Sequence, residues 1–188
     1  MIRIGILGDI GSGKTYVANN FGYPVFNADH EVSKLYKKDK KTFNKLKKIL
    51  PKYFISFPIK KSQVSKAILA NRNNLRKIVK IVHLEIRKKM NIFIKKNKNK
   101  KIIILDIPLL LENNINKKND VLIFVKSKRS EILKRLKNRE SFNKKLLNEF
   151  KNIQLPLDYK KKKSTFIIKN NFKKKSVKKN IKNILKKI

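Results

Sequence analysis

Apolar residues fall into two patterns along this chain. Short runs rich in β-branched residues occupy 2–7 (IRIGIL), 24–27, 102–107, 121–125 and 165–168, and they predict five strands. Between them apolar residues recur every three or four positions. The longest such stretch, 73–94, carries Ile78, Ile81, Val82, Ile86, Met90 and Phe93 at helical spacing. Similar periodicity predicts helices over 127–139, 144–153 and 173–188. Strands alternating with helices predict an α/β fold with a parallel sheet covered on both faces. Ligands of such sheets bind at the C-terminal strand ends. The segment 8–15, Asp29 and Asp106 fall there.

Two helical excursions, 30–101 and 128–163, are too long for simple crossovers. The reading is one domain over 1–188, with a core of 1–29, 102–127 and 164–188. The first excursion is then an insertion able to hold an acceptor, and the second a lid. Two charge runs, 95–101 and 160–163, read as solvated surface. No internal repeat is visible.

Residues 8–15 read GDIGSGKT, a complete phosphate-binding loop between a strand and a helix. Gly8, Gly11 and Gly13 permit backbone conformations barred to residues with a Cβ, so that successive N–H groups converge on an anion. The start of the following helix adds its positive dipole end. Lys14 is expected at the β- and γ-phosphates, and the Thr15 hydroxyl on magnesium. Asp9, Ile10, Ser12 and Tyr16 complete the expected ATP-binding stretch.

Composition narrows the picture. With 188 residues the chain is long enough for a real core, and without cysteine it has no disulfide or thiolate metal site. Two histidines, His30 and His83, are too few for an imidazole-rich metal centre. No signal peptide and no apolar run of membrane-spanning length is visible, so a cytoplasmic location without membrane partners is expected. A monomer is expected. The net charge of +39 suggests nucleic acid. However, the chain holds 44 Lys, 22 Asn and 26 Ile against 7 Arg, a bias toward A/T-rich codons, and the lysines are spread through every segment. No specific nucleic-acid partner is therefore expected, and the twelve acidic residues and seven arginines gain weight as site candidates.

Several of these stand where chemistry is expected. Asp29 closes PVFNAD just past the second strand. It suits a general base for an attacking hydroxyl, and it also suits the N-cap of a helix beginning near His30. Asp106 ends IIILD, the shape of a carboxylate that orients magnesium through water, though a turn residue before Pro108 reads the same way. Arg135 and Arg139 share one helical face, as a phosphate-binding lid pair or a solvent-facing one. His83 and Arg87, four apart, suit an acceptor phosphate or a packed helix interface. Glu112, after the apolar IPLLL, is undecided.

Taken together, these residues resemble the dephospho-CoA kinase family. The resemblance rests on GDIGSGKT, the Pro-Val strand ending Ala28-Asp29, and the helix with His83, Arg87 and Met90. It rests equally on DIPLLLEN over 106–113, the Arg135 and Arg139 helix, Gln154, and the late strand ending at Asn170. It implies a P-loop NTPase three-layer sandwich with a five-stranded parallel sheet, a helical acceptor-binding insertion and a helical lid. It also implies ATP-dependent phosphorylation of the ribose 3′-hydroxyl of dephospho-CoA, with Mg2+. Asp29 would be the base, Lys14 the phosphate-binding cation, Thr15 and Asp106 the metal side, and Arg139 the lid arginine, with Arg135 and Asn170 beside ATP. Asp29, His83, Arg87, Pro108, Leu109, Leu110 and Glu112 would line the acceptor. Departures are Asp9 for a loop glycine, Tyr16 for a small hydroxyl residue, Asn27 for Asp, Leu84 for Pro and Glu140 for Asp. Another P-loop kinase of nucleoside monophosphates or small metabolites is the alternative, and a nucleotide-dependent nucleic-acid-binding protein a second.

Overall fold

A computed structural model describes residues 1–138 and 142–188. Five strands, β1 (Ile2–Gly8), β2 (Val25–Asn27), β3 (Ile102–Asp106), β4 (Val121–Lys126) and β5 (Phe166–Lys169), form one parallel sheet in the order β2-β3-β1-β4-β5. All five expected strands are present. β3 is buried at every position and β1 at all but the first, which is why β3 reads as a continuous apolar run and β1 as one broken by Arg3 rather than as alternating ones. At the sheet edge, β5 buries Ile168 and leaves Ile167 and Lys169 exposed.

The chain folds as two compact units. The first comprises Met1–Asn27, Asn97–Phe142 and Gln154–Ile188, and contains the whole sheet. On one face, Ile4, Ile6, Ile104, Ile123, Val125 and Ile168 pack with Val17, Ala18 and Phe21 of α1 (Lys14–Asn19) and its following turn. Val177, Ile181 and Ile184 of α9 (Lys174–Leu185) join the same cluster. On the other face Leu110 lies fully buried against Gly5, where any Cβ would sit 2.6 Å from Leu110 Cδ2. The first unit also holds α6 (Arg129–Lys137) and α8 (Leu157–Lys162).

The second unit, Ala28–Lys96 with Asn143–Ile153, is helical. It contains α2 (Ala28–Lys38), α3 (Lys40–Ile49), α4 (Lys61–Ala70), α5 (Arg72–Lys96) and α7 (Lys144–Asn152). The periodicity read in α5 holds: Leu75, Ile78, Val82, Ile86 and Met90 are its buried stripe.

Two local expectations need correction. α2 starts at Ala28, so Asp29 lies within its first turn and does not cap it from outside. The run 160–163 is not uniformly solvated either, since α8 carries Lys160 into the interior at 1% exposure. The run 95–101 is exposed apart from half-buried Asn97, with its first two lysines still in α5.

Candidate active site

β1 delivers the chain to the phosphate loop at the centre of the sheet. Gly8 has φ 144°, and a Cβ there would stand 2.7 Å from the Val125 carbonyl oxygen. Gly13 has φ 88°, in the left-handed region, and a Cβ there would collide with the Asn170 side-chain amide. Both positions require glycine for conformation and for space. Lys14 folds back over the loop, its Nζ donating to Gly8 O at 3.1 Å and Asp9 O at 2.8 Å. The unusual Asp9 turns its carboxylate onto the loop itself, where Oδ1 accepts from Ile10 N at 2.7 Å. A phosphate oxygen seeking that amide meets a carboxylate already on it. Tyr16 stands at the surface beyond the loop.

A compact polar cluster adjoins the loop. Asp106, at the end of β3, is buried, and its Oδ2 accepts from Thr15 Oγ1 at 2.6 Å and from Asn27 Nδ2 at 2.7 Å. Burial raises the Asp106 pKa above the ordinary carboxylate value. The Thr15 hydrogen bond, the nearby Lys14 ammonium and the Asn27 amide only partly oppose that rise. Asn27 is one of the departures noted above, and the geometry gives it a purpose: its amide donates where an aspartate would repel. The Thr15 hydroxyl and Asp106 carboxylate are two adjoining hard oxygen donors. No group of three or more His, Cys, Asp or Glu able to hold a metal occurs among the described residues. The oxygens fit instead a magnesium completed by nucleotide phosphates and water.

Asn170, the first residue after β5, is buried and works on the loop. Its Nδ2 donates to Ser12 O at 2.9 Å while Oδ1 accepts from Phe172 N at 2.9 Å. Ser127 Oγ donates to the same Ser12 oxygen at 2.9 Å. Ile132 and Leu136 of α6 lie against Gly11, within 3.1 Å of where a Cβ would stand. Arg135, exposed on α6, places its guanidinium 4.3 Å from the Phe172 ring centroid. Arg139 lies outside the described residues.

The segment Pro108–Asn113 turns away from β3. Pro108 and Leu109 are half-buried, whereas Leu110 is fully buried and acts through packing. Glu112 Oε1 accepts from Leu155 N at 3.0 Å and pairs with Lys160 Nζ at 2.6 Å. Lys160 also donates to Gln154 Oε1 at 3.0 Å. Oε1 of Glu112 is thus engaged inside the protein, while its buried Oε2 has no hydrogen-bond partner. Sequence reasoning missed Lys160 because nothing distinguishes one lysine among 44. It also missed Phe172, although an isolated aromatic within a Lys- and Asn-rich stretch was a usable signal.

In the helical unit, Asp29 is exposed in the first turn of α2. His83 is half-buried and Arg87 exposed on α5, four apart and therefore on one face. No helix among the described residues is long and apolar enough to cross a membrane.

Comparison with known proteins agrees with this arrangement. The sequence profile of the dephospho-CoA kinase family matches residues 2–176. A dephospho-CoA kinase of Wolbachia pipientis wMel is 34% identical over 187 residues, covering 97% of this chain and 95% of that one. Among solved structures, a Thermus thermophilus protein superposes with a TM-score of 0.77 at 23% identity, covering 100% of this chain and 97% of the other. A dephospho-CoA kinase from Campylobacter jejuni gives a TM-score of 0.58 at 20% identity, covering 98% and 96%. The two structures establish the shared fold, and the profile with the full-length relative establishes more: the chain belongs to the dephospho-CoA kinase family.

Proposed function

We propose that this protein transfers the γ-phosphoryl group of ATP to the ribose 3′-hydroxyl of dephospho-CoA, giving CoA and ADP. The observation that carries the reading is the cluster of Lys14, Thr15, Asn27 and Asp106 beside the phosphate loop, in a chain of this family. Phosphoryl transfer asks the protein mainly to position reactants and to neutralise charge. The loop amides and Lys14 hold the β- and γ-phosphates. Thr15 Oγ1 and, through water, Asp106 would hold Mg2+, which would supply positive charge against the charge that develops on the phosphates.

The acceptor oxygen attacks the γ-phosphorus, the bond from that phosphorus to the β–γ bridging oxygen breaks, and the hydroxyl proton passes to Asp29. Its exposure on the first turn of α2 supports that role, because an unburied carboxylate is available to substrate. His83 and Arg87 are hydrogen-bond donors on one helical face suited to acceptor phosphates, with Pro108 and Leu109 as apolar contacts. Arg139 supplies lid charge, with Arg135 nearby on the preceding helix.

The test is ADP release with dephospho-CoA, AMP, CMP, UMP and RNA supplied separately. Turnover dependent on dephospho-CoA, with a 3′-phosphorylated product, is expected. Stimulation only by a mononucleotide, or only by RNA, would sink the assignment.

A further inference from the structure

Phe172 is in an unexpected conformation. Its φ is 61°, and the other non-glycine with positive φ among the described residues is Asn114. Asparagine tolerates the left-handed region, whereas phenylalanine is strained there and glycine would sit at ease. Such strain persists only where the surroundings impose it, and it gathers at ligand sites. The surroundings here are specific. Asn170, buried and bonded to the phosphate loop at Ser12 O, accepts the Phe172 N–H. The ring edge, at Cε1, lies 3.2 Å from where a Gly13 Cβ would stand.

The ring does not serve the core. Phe172 is half-buried and absent from the cluster on the sheet face. One face carries the exposed Arg135 guanidinium at 4.3 Å. An aromatic ring and an arginine plane are the two side-chain surfaces on which nucleobases stack. They meet beside the loop that holds the phosphates.

We infer that Phe172 is the stacking wall for the base of the ATP donor, and that Arg135 occupies the base's place until nucleotide arrives. A spacing of 4.3 Å holds one layer, so the guanidinium lifts to admit the base and then covers its outer face. Arg135 is free to do so because it is solvent-exposed on α6. The inference rests on the loop's binding ATP and not on which acceptor is used.

The test compares MgATP with magnesium tripolyphosphate, which has the phosphates but no base, by calorimetry without acceptor. Phe172→Gly removes the ring and relieves the backbone strain. It is expected to unfold at the same temperature or higher, to bind ATP about ten- to a hundredfold more weakly, and to bind tripolyphosphate unchanged. An unchanged ATP affinity, or equal loss for both ligands, would overturn the proposal, since the ring would then only support the loop. Phe172→Leu, which keeps apolar bulk without a π face, carries the same comparison if the glycine variant does not fold. The chain has no tryptophan, so Phe172→Trp supplies a single reporter. ATP is expected to quench its fluorescence and tripolyphosphate to leave it unchanged. Bound ATP without quenching counts against the stack. Because no acceptor is present, failure of the dephospho-CoA assignment leaves these outcomes intact, and the reverse holds.

Discussion

The two units of this protein use their few carboxylates differently. In the sheet-bearing unit three of them are withdrawn from water, whereas Glu131 and Asp158 stay exposed. Asp120 pairs with Arg3 at side-chain exposures of 3% and 9%, and Glu112 with Lys160 at 9% and 1%. Asp106 is buried beside the phosphate loop. In the helical unit the ion pairs are surface features, in which Glu85 meets lysines that are 54% and 68% exposed, and Glu31 meets two more of the same kind. Asp29 stands exposed as well. In a chain with net charge +39, an acid at the surface is always near a lysine, so proximity there says little. An acid carried inside with one selected cation says more, because its desolvation must be offset by that cation and its hydrogen bonds.

The contrast is sharpest between buried Asp106, proposed to hold magnesium, and exposed Asp29, proposed to react. Asp29→Asn is expected to lower kcat by about 10²–10⁴ while MgATP affinity stays within a few-fold of the parent. Steady-state kinetics with dephospho-CoA and separate ATP calorimetry check both halves. Near-normal kcat would remove Asp29 from the base role. A large loss of ATP affinity would place it with Asp106 on the donor side.

Burial itself is tested at Lys160. Replacing Lys160 by Met leaves the Glu112 carboxylate buried with one oxygen still on Leu155 N and the other without a hydrogen-bond partner. Breaking such a pair costs about 3–5 kcal/mol, measured here as a shift in the urea midpoint at unchanged slope. The double variant Glu112→Leu, Lys160→Met should recover most of that loss, since apolar side chains of similar size need no solvation. A single-variant loss below about 1 kcal/mol would put Lys160 in the class of the surface pairs and dissolve the distinction.

Lys160 also marks where the sequence stops being readable. The β1–loop–α1 unit is legible because its chemistry is local: glycines, lysine and threonine within eight residues fix conformation and ligand class together. β3 and β4 are legible because burial on both faces leaves near-continuous apolar runs. The stripe of α5 is legible through its period. What is not legible depends on pairings across the chain. Asn27 reads as a departure until its amide is seen on Asp106. Glu112 is undecided from sequence, and its pairing with Lys160 shows only in the folded chain. Asn170 reads as a residue beside ATP, and its bonds to Ser12 and Phe172 show only in the folded chain. In each case residue type is informative and the partner is not, because a lysine- and asparagine-rich background hides the one lysine or asparagine that matters.

The smallest effect belongs to the surface pairs, and it has a defined pH dependence. The Glu85 pKa is lowered, first by the hydrogen bond from Lys45 and then, against partial burial, by Lys88. A carboxyl depressed in the folded state contributes stability that is fully present above its ordinary 4.5 and is lost as pH falls through the folded value. Glu85→Gln is therefore expected to cost about 0.2–1 kcal/mol at pH 7. The difference between variant and parent should shrink as pH drops below 4.5. Raising salt to about 1 M shortens the screening length to about 3 Å and should shrink the same difference at neutral pH. Denaturation series over pH and salt measure both. A salt-insensitive loss of about 3 kcal/mol or more would mean that Glu85 is held as Glu112 is, and that exposure of the lysine partner does not set the worth of an ion pair in this protein.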